Sequence, residues 1–215
     1  MIRNTAVSAL LLAVVFANST QLRAANVVRP AAHDLVERLS KVAGAPSPAA
    51  LTAALAAYDR AIARGAVSNP RYLTVIDYSL PSIVRRLWIL DLSDSSIVLR
   101  DLVAHGRGSG ENMATSFSND DGSKMSSLGL FVTDAAYIGS HGYSLRLRGL
   151  DPGLNDHAYD RAIVVHGAPY VSEAAARSGR LGRSWGCAAV RTDIARTVID
   201  TIKDGTVLFA YAPHA

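Results

Sequence analysis

The run "YLTVIDYSLPSIVRRLWILDLSDSSIVLRDLVA", residues 72–104, marks the change of pattern on which the fold turns. Its apolar residues come in short β-branched or alternating runs, "YLTVIDY", "RLWILDL" and "SIVLRDLVA", and "DLSDSS" between the second and third has hairpin chemistry. Runs of the same kind follow in "LGLFVT", "YSLRLRG", "RAIVVHG" and a closing "TVLFAYA". A helix of about three turns, "TDIARTVIDTIKDG", precedes the last of them and ends at Gly205. Strands dominate from Leu73 to Pro213 and helices are peripheral, which predicts a mostly β, β-rich α+β domain.

Upstream, residues 30–65 read as helical. In "SPAALTAALAAYDRAIARG" Ser47 is placed to cap, Pro48 stands in the first turn and Gly65 lies past the end, with Leu51, Leu55, Tyr58 and Ile62 repeating on one face. A shorter helix is expected around "HDLVERLSKV". Residues 1–25, "MIRNTAVSALLLAVVFANSTQLRAA", carry Arg3 and an apolar run from Ala6 to Ala17, too short to span a bilayer but suited to an export signal. Cleavage is expected after Ala17 or near Ala25. The chain thus divides into a signal peptide (1–25), an N-terminal helical segment (26–71) and a main domain (72–213).

At 215 residues, with 49% hydrophobic and 19% charged side chains, the composition is that of a globular protein with one well-buried core. The formal charge of +4 falls to +2 once Arg3 and Arg23 leave with the signal, so no concentrated basic face for nucleic acid is expected. No stable membrane span is expected after cleavage either. The "HGRGSG" stretch that opens the long aperiodic segment 106–127 is not followed by a helix that would hold a phosphate, and no cofactor is expected.

The chain holds one cysteine, in "GRLGRSWGCAAVR", residues 179–191. A lone thiol in an exported protein is unusual, because cysteines in an oxidising compartment tend to be paired or absent. Of the six histidines, His166 ends the apolar run "AIVVHG" and is followed by Gly167, so a strand delivers it to a rim that a ligand can approach. Cys187 follows 21 positions later, with Arg180, Arg183 and Arg191 close in sequence. An imidazole or a cationic setting lowers a thiol's pKa, and Gly186 permits a tight turn aiming amides of "SWGC" at one oxyanion. On these residues alone Cys187 is either a nucleophile or an inert buried thiol.

"HGAPYVS" followed by "GRSWGCAAV" resembles the histidine-glycine and serine-x-glycine-cysteine signature of the YkuD-like L,D-transpeptidase catalytic domain. "VIDYSLPS", "RLWILDL", "VAHGRGSG", "FSN", "SSLG" and "SHGYSLRLRGL" also find counterparts in the Gram-negative murein branch of that family, over roughly Val75 to Val190. The resemblance implies a β-sandwich, a periplasmic or cell-envelope location, and peptidoglycan stem peptides as partners: a donor tetrapeptide and an acceptor amine. It makes Cys187 the acyl-accepting nucleophile and His166 its base, with Gly167, Ser184, Trp185 and Gly186 orienting groups or lining the oxyanion, and places His141 near the site as a substrate contact; Arg191, four residues after the thiol, is by its position the candidate dock for stem-peptide carboxylates. Trp185 departs from the commoner histidine, giving a flatter and more apolar rim. Gly167 departs from a serine or threonine, but its carbonyl is still able to orient the imidazole. Arg146 and Arg148 read as a solvated face. The alternatives are hydrolysis at the same site, a zinc site of Cys187, His166 and His141, and a fold that binds cell-wall peptides without turnover.

Overall fold

The computed structural model describes residues 32–213; the stretch read as an export signal and His214 lie outside the described residues. Helices α1 (Ala32–Ser40) and α2 (Pro48–Ala63) precede strands β1 (Tyr72–Asp77), β2 (Leu87–Asp91), β3 (Ser96–Asp101), β4 (Val103–Ala104), β5 (Gly129–Gly139) and β6 (Gly142–Gly149). Strand β7 (Val164–Gly167), helix α3 (Glu173–Arg177), strand β8 (Ala188–Val190), helix α4 (Ala195–Ile202) and strand β9 (Val207–Tyr211) complete the chain.

The strands form one sheet in the order β3-β2-β1-β9-β5-β6-β7-β8-β4. Its two outermost strands, β3 and β4, are consecutive in the chain and separated by Leu102 alone. The run read as a single strand, "SIVLRDLVA", therefore crosses from one end of the order to the other at this corner. Closure of this kind requires the sheet to curl over its own core. The core agrees: Leu87 and Ile89 of β2 share a buried cluster with Val165 of β7 and Ala188 and Val190 of β8. A flat sheet would hold β2 and β8 about 29 Å apart, six strand spacings. The result is a β-rich, sandwich-like body whose two halves are continuous.

The outer face of β1, β2 and β9 is covered by α1 and α2, with Leu35, Leu39, Leu55 and Tyr58 packed on Leu73, Trp88 and Val207. Ser47 caps α2, accepting from the Ala50 amide at 3.2 Å, and Trp88 Nε1 donates to the Gly44 carbonyl at 2.7 Å. Ile62 does not share the buried face: it is 40% exposed, and Ala50, Ala54, Ala57 and Ala61 pack there instead. Alanines let the helix axis approach the sheet closely, and they share the seam with Leu51, Leu55 and Tyr58.

Candidate active site

Strands β7 and β8 run parallel, with Val165, His166 and Gly167 in register with Ala188, Ala189 and Val190. Side chains alternate between faces along a strand. Val165, Ala188 and Val190 enter the main core, whereas Ala189 belongs to the small cluster on the opposite face with Ala168, Val171 and Leu181. His166 shares the Ala189 face, and the bend that precedes β8 brings Cys187 into the same cleft, its Sγ donating to the Ala162 carbonyl at 3.7 Å. Both line a cleft of about 370 Å³ together with His141, Arg183, Ser184 and Trp185.

The imidazole of His166 is fixed from two sides. Its Nδ1 lies 3.0 Å from the Gly167 carbonyl, so Nδ1 carries the proton and donates, leaving Nε2 with its lone pair. The two-residue turn Ser140–His141 between β5 and β6 delivers the His141 ring onto it, stacked at 4.4 Å between centroids. Gly167 is required sterically: a Cβ there would stand 2.9 Å from Ala195 Cβ at the start of α4. A glycine at this position therefore admits the start of α4 while keeping the carbonyl that orients the ring.

The turn before the thiol is stapled internally. Ser184 Oγ accepts from the Gly186 amide at 3.1 Å and donates to the Cys187 carbonyl at 2.7 Å, so the Gly186 N–H is committed to the turn rather than aimed at an oxyanion. Behind it, Ser126 Oγ accepts from the Gly106 amide at 3.0 Å and donates to the Gly186 carbonyl at 3.2 Å, while the Ser184 amide donates to the His105 carbonyl at 3.0 Å. The long segment after Gly106 thus serves as the backing of the turn before Cys187. His105 itself is buried and structural: Arg86 Nη2 donates to its Nδ1 at 2.7 Å, and Nε2 reaches the Gly110 carbonyl at 3.3 Å. Burial, with the Arg86 charge second, depresses its pKa to about 4.

Gly186 sits at φ +124°, and a Cβ there would come within 2.8 Å of the Met125 carbonyl oxygen and 2.9 Å of Ile163 Cδ1. Gly186→Ala is expected to cost about 2 kcal/mol or more through backbone strain and this clash, and to displace the thiol. Urea denaturation reads the first effect and the alkylation rate of Cys187 the second; a variant matching wild type in both would show that the turn tolerates a side chain.

Burial pushes the Cys187 thiol above its ordinary value, opposed by the Val164 amide, the Arg161 charge and its own backbone amide. None of the three arginines close in sequence is among the groups that act on the sulfur. Arg180 and Arg183 pair with Glu111 at 2.9 and 2.7 Å. Arg191 does not line the cleft: its Nε and Nη2 grip Asp101 at 3.0 and 2.9 Å and Nη1 reaches Asp193 at 3.1 Å. That bidentate clamp holds the corner at Leu102, whose amide donates to Asp101 Oδ1 at 2.6 Å. The cation that acts on the sulfur is Arg161, a residue sequence proximity gave no reason to select. Its guanidinium holds the far end of the long loop through the Ser118 and Met125 carbonyls at 2.8 and 2.9 Å. Burial depresses the pKa of His166 as well; the Gly167 bond works against this and the His141 ring with it.

Trp185 stands on the rim, 70% exposed, with Lys124 Nζ 5.2 Å from its ring centre. Arg146 lies over the rings of Tyr137 and Tyr159, each at 5.0 Å, and is not part of the cleft lining. Among the described residues no group of three histidine, cysteine, aspartate or glutamate side chains is arranged to hold a metal ion, and the stacking of His141 on His166 turns the two rings face to face.

Fold and cleft together define a curled β-rich domain with a thiol and an imidazole lining one cleft. The chain belongs to the L,D-transpeptidase catalytic domain family, which matches residues 43–211 and so includes α2 as well as the whole sheet. Among solved structures it is similar to an L,D-transpeptidase from Mycobacterium smegmatis, at 13% identity over 66% of this chain and 59% of that one, with a TM-score of 0.42. It is also similar to L,D-transpeptidase 3 from Mycobacterium tuberculosis (12%, 66% and 61%, TM-score 0.42) and to the helical cell shape determining protein Pgp2 of Campylobacter jejuni (12%, 67% and 48%, TM-score 0.43). The chain thus spans about half to three fifths of those proteins. A comparison with curated proteins found no match. Among the described residues no helix is long and apolar enough to cross a membrane.

Proposed function

We propose that this protein is a peptidoglycan L,D-transpeptidase of the cell envelope, exported by its N-terminal signal, that works through a Cys187 thioester. The single observation that carries the reading is the sharing of one cleft by Cys187 and a His166 whose Nδ1 is tied to the Gly167 carbonyl. That bond leaves Nε2 as the basic atom. As the sulfur attacks the carbonyl joining the third stem residue to the D-residue, the thiol proton passes to Nε2 and a C–S bond forms. The oxyanion of the tetrahedral intermediate is held by the Cys187 amide, which belongs to the stapled turn. Collapse breaks the C–N bond, and the imidazolium returns its proton to the departing amine. An acceptor amine then attacks the thioester, giving its proton to Nε2. The C–S bond breaks and the sulfur regains the proton.

Ser184 orients the nucleophile by holding its turn, Gly167 orients the base, and Gly186 is needed for the conformation of the turn. His141 acts on the base by stacking, and Trp185 offers a flat apolar rim to the donor. Purified protein incubated with disaccharide tetrapeptide is expected to release D-alanine and yield cross-linked dimers by mass spectrometry. Tripeptide without dimers would replace transpeptidation by hydrolysis, and an unchanged substrate would leave peptide binding as the function.

A further inference from the structure

We infer that Arg183 reads the C-terminal carboxylate of the donor stem; the inference rests on the transpeptidase reading above and assigns a specificity residue to the same cleft. Arg183 lines the cleft four residues before the thiol, with its side chain 22% exposed. One end of its guanidinium is anchored: Nη1 donates to the Gly110 carbonyl at 2.9 Å, to Glu111 Oε1 at 2.7 Å and, more weakly, to the Arg107 carbonyl at 3.4 Å. Among the described residues Nε and Nη2 have no protein partner, and neither is a buried unsatisfied atom. The free edge of the fork, with its two parallel N–H groups, therefore meets solvent at the cleft, which is the geometry that takes a carboxylate in two parallel hydrogen bonds.

The placement selects the carboxylate. A tetrapeptide donor ends in a D-residue whose carboxylate is one residue beyond the carbonyl that Cys187 attacks, so a cation sharing the sulfur's cleft stands next to it. Glu111 is itself bound by Arg180 as well, at 2.9 Å, and is 70% exposed, so it fixes the fork from outside without filling the cleft. Arg191 is fully occupied with Asp101 and Asp193, and Arg161, the cation that acts on the sulfur, is not part of the cleft lining and spends its Nη1 and Nη2 on Ser118, Ser123, Met125 and Ser127.

Three synthetic disaccharide tetrapeptides test this: the free acid, its C-terminal amide, and a donor whose third-residue side-chain carboxylate is amidated. Acylation of Cys187 is followed by mass spectrometry, separating the limiting rate from the half-saturating donor concentration. Arg183→Gln is expected to slow acylation by the free acid about 10- to 100-fold, the loss of a charge-assisted hydrogen-bonded pair, chiefly through weaker binding. Against the C-terminal amide, wild type and variant are expected to be equal, and Arg183→Lys is expected to recover only part of the loss on the free acid. Alkylation of Cys187 by iodoacetamide at wild-type rate establishes that each variant keeps its site. Equal losses on free acid and C-terminal amide, or none on either, would overturn the inference. A loss abolished by the side-chain amide instead would move the contact to the third residue and overturn the terminal assignment. Failure of wild type to be acylated by any of the three donors would sink the transpeptidase reading itself.

Discussion

Cys187→Ser is expected to lose acyl-enzyme formation by about 10⁴-fold or more, which brings turnover to background. The reason lies in the site's own electrostatics. Burial already holds the thiol above its ordinary pKa, and the amides of Val164 and Cys187 offset that only in part. A serine hydroxyl in the same place is far less acidic and has no soft, polarizable sulfur to form the bond. The substitution is nearly isosteric, and Cys187 is 9% exposed at the edge of the core, so the fold is expected to survive. Mass spectrometry after exposure to a carbapenem should then give a covalent gain on wild type and none on Cys187→Ser. Equal adducts on both would place the acylated atom on another residue and remove Cys187 from the chemistry, while an inert wild type would favour peptide binding without turnover.

That Cys187 and His166 would share one cleft was legible in the sequence because each is marked by local chemistry: a histidine closing an apolar run before a glycine, and a unique cysteine behind another. The fold class was legible for the same reason, since β-branched runs and turn residues announce strands one at a time. What links distant segments was not. Strand β8 is three residues long and contains two alanines, so no period marks it. Nothing local in "SIVLRDLVA" says that Leu102 is a corner between the two ends of the sheet, yet that corner decides what Arg191 does. Its bidentate bond to Asp101 is a contact across 90 positions, and it removes from the cleft the arginine that sequence proximity favoured. The same limit hid Arg161, 26 positions before the thiol, and the asymmetric anchoring of Arg183. Charge near a nucleophile in sequence says little about charge near it in space, because long side chains are claimed by whichever carboxylate or carbonyl the fold brings to them.

His166→Gln is expected to slow acylation about 10²- to 10⁴-fold at neutral pH and to change the shape of its pH dependence. In the resting protein burial lowers the imidazole below its ordinary 6.5, while the thiol is raised above its ordinary 9.0. Between those two values both groups are neutral, so the proton must leave sulfur as the C–S bond forms. Below the depressed histidine value the imidazole is already protonated and accepts nothing. Wild-type acylation should therefore rise through that value and level off by about pH 7, the ordinary imidazole range lying wholly above the shift. Without the imidazole only a preformed thiolate attacks, and its fraction grows about tenfold per pH unit up to the raised thiol value. The two profiles then converge as pH climbs past 9, the gap closing by about the same factor per unit. Glutamine keeps the ring's approximate volume and a group able to bond the Gly167 carbonyl, so a merely structural histidine would leave both profiles parallel. An iodoacetamide rate on wild type that is already maximal near pH 6 would also defeat the argument, because it would mean that thiolate and imidazolium exist as a pair before substrate arrives.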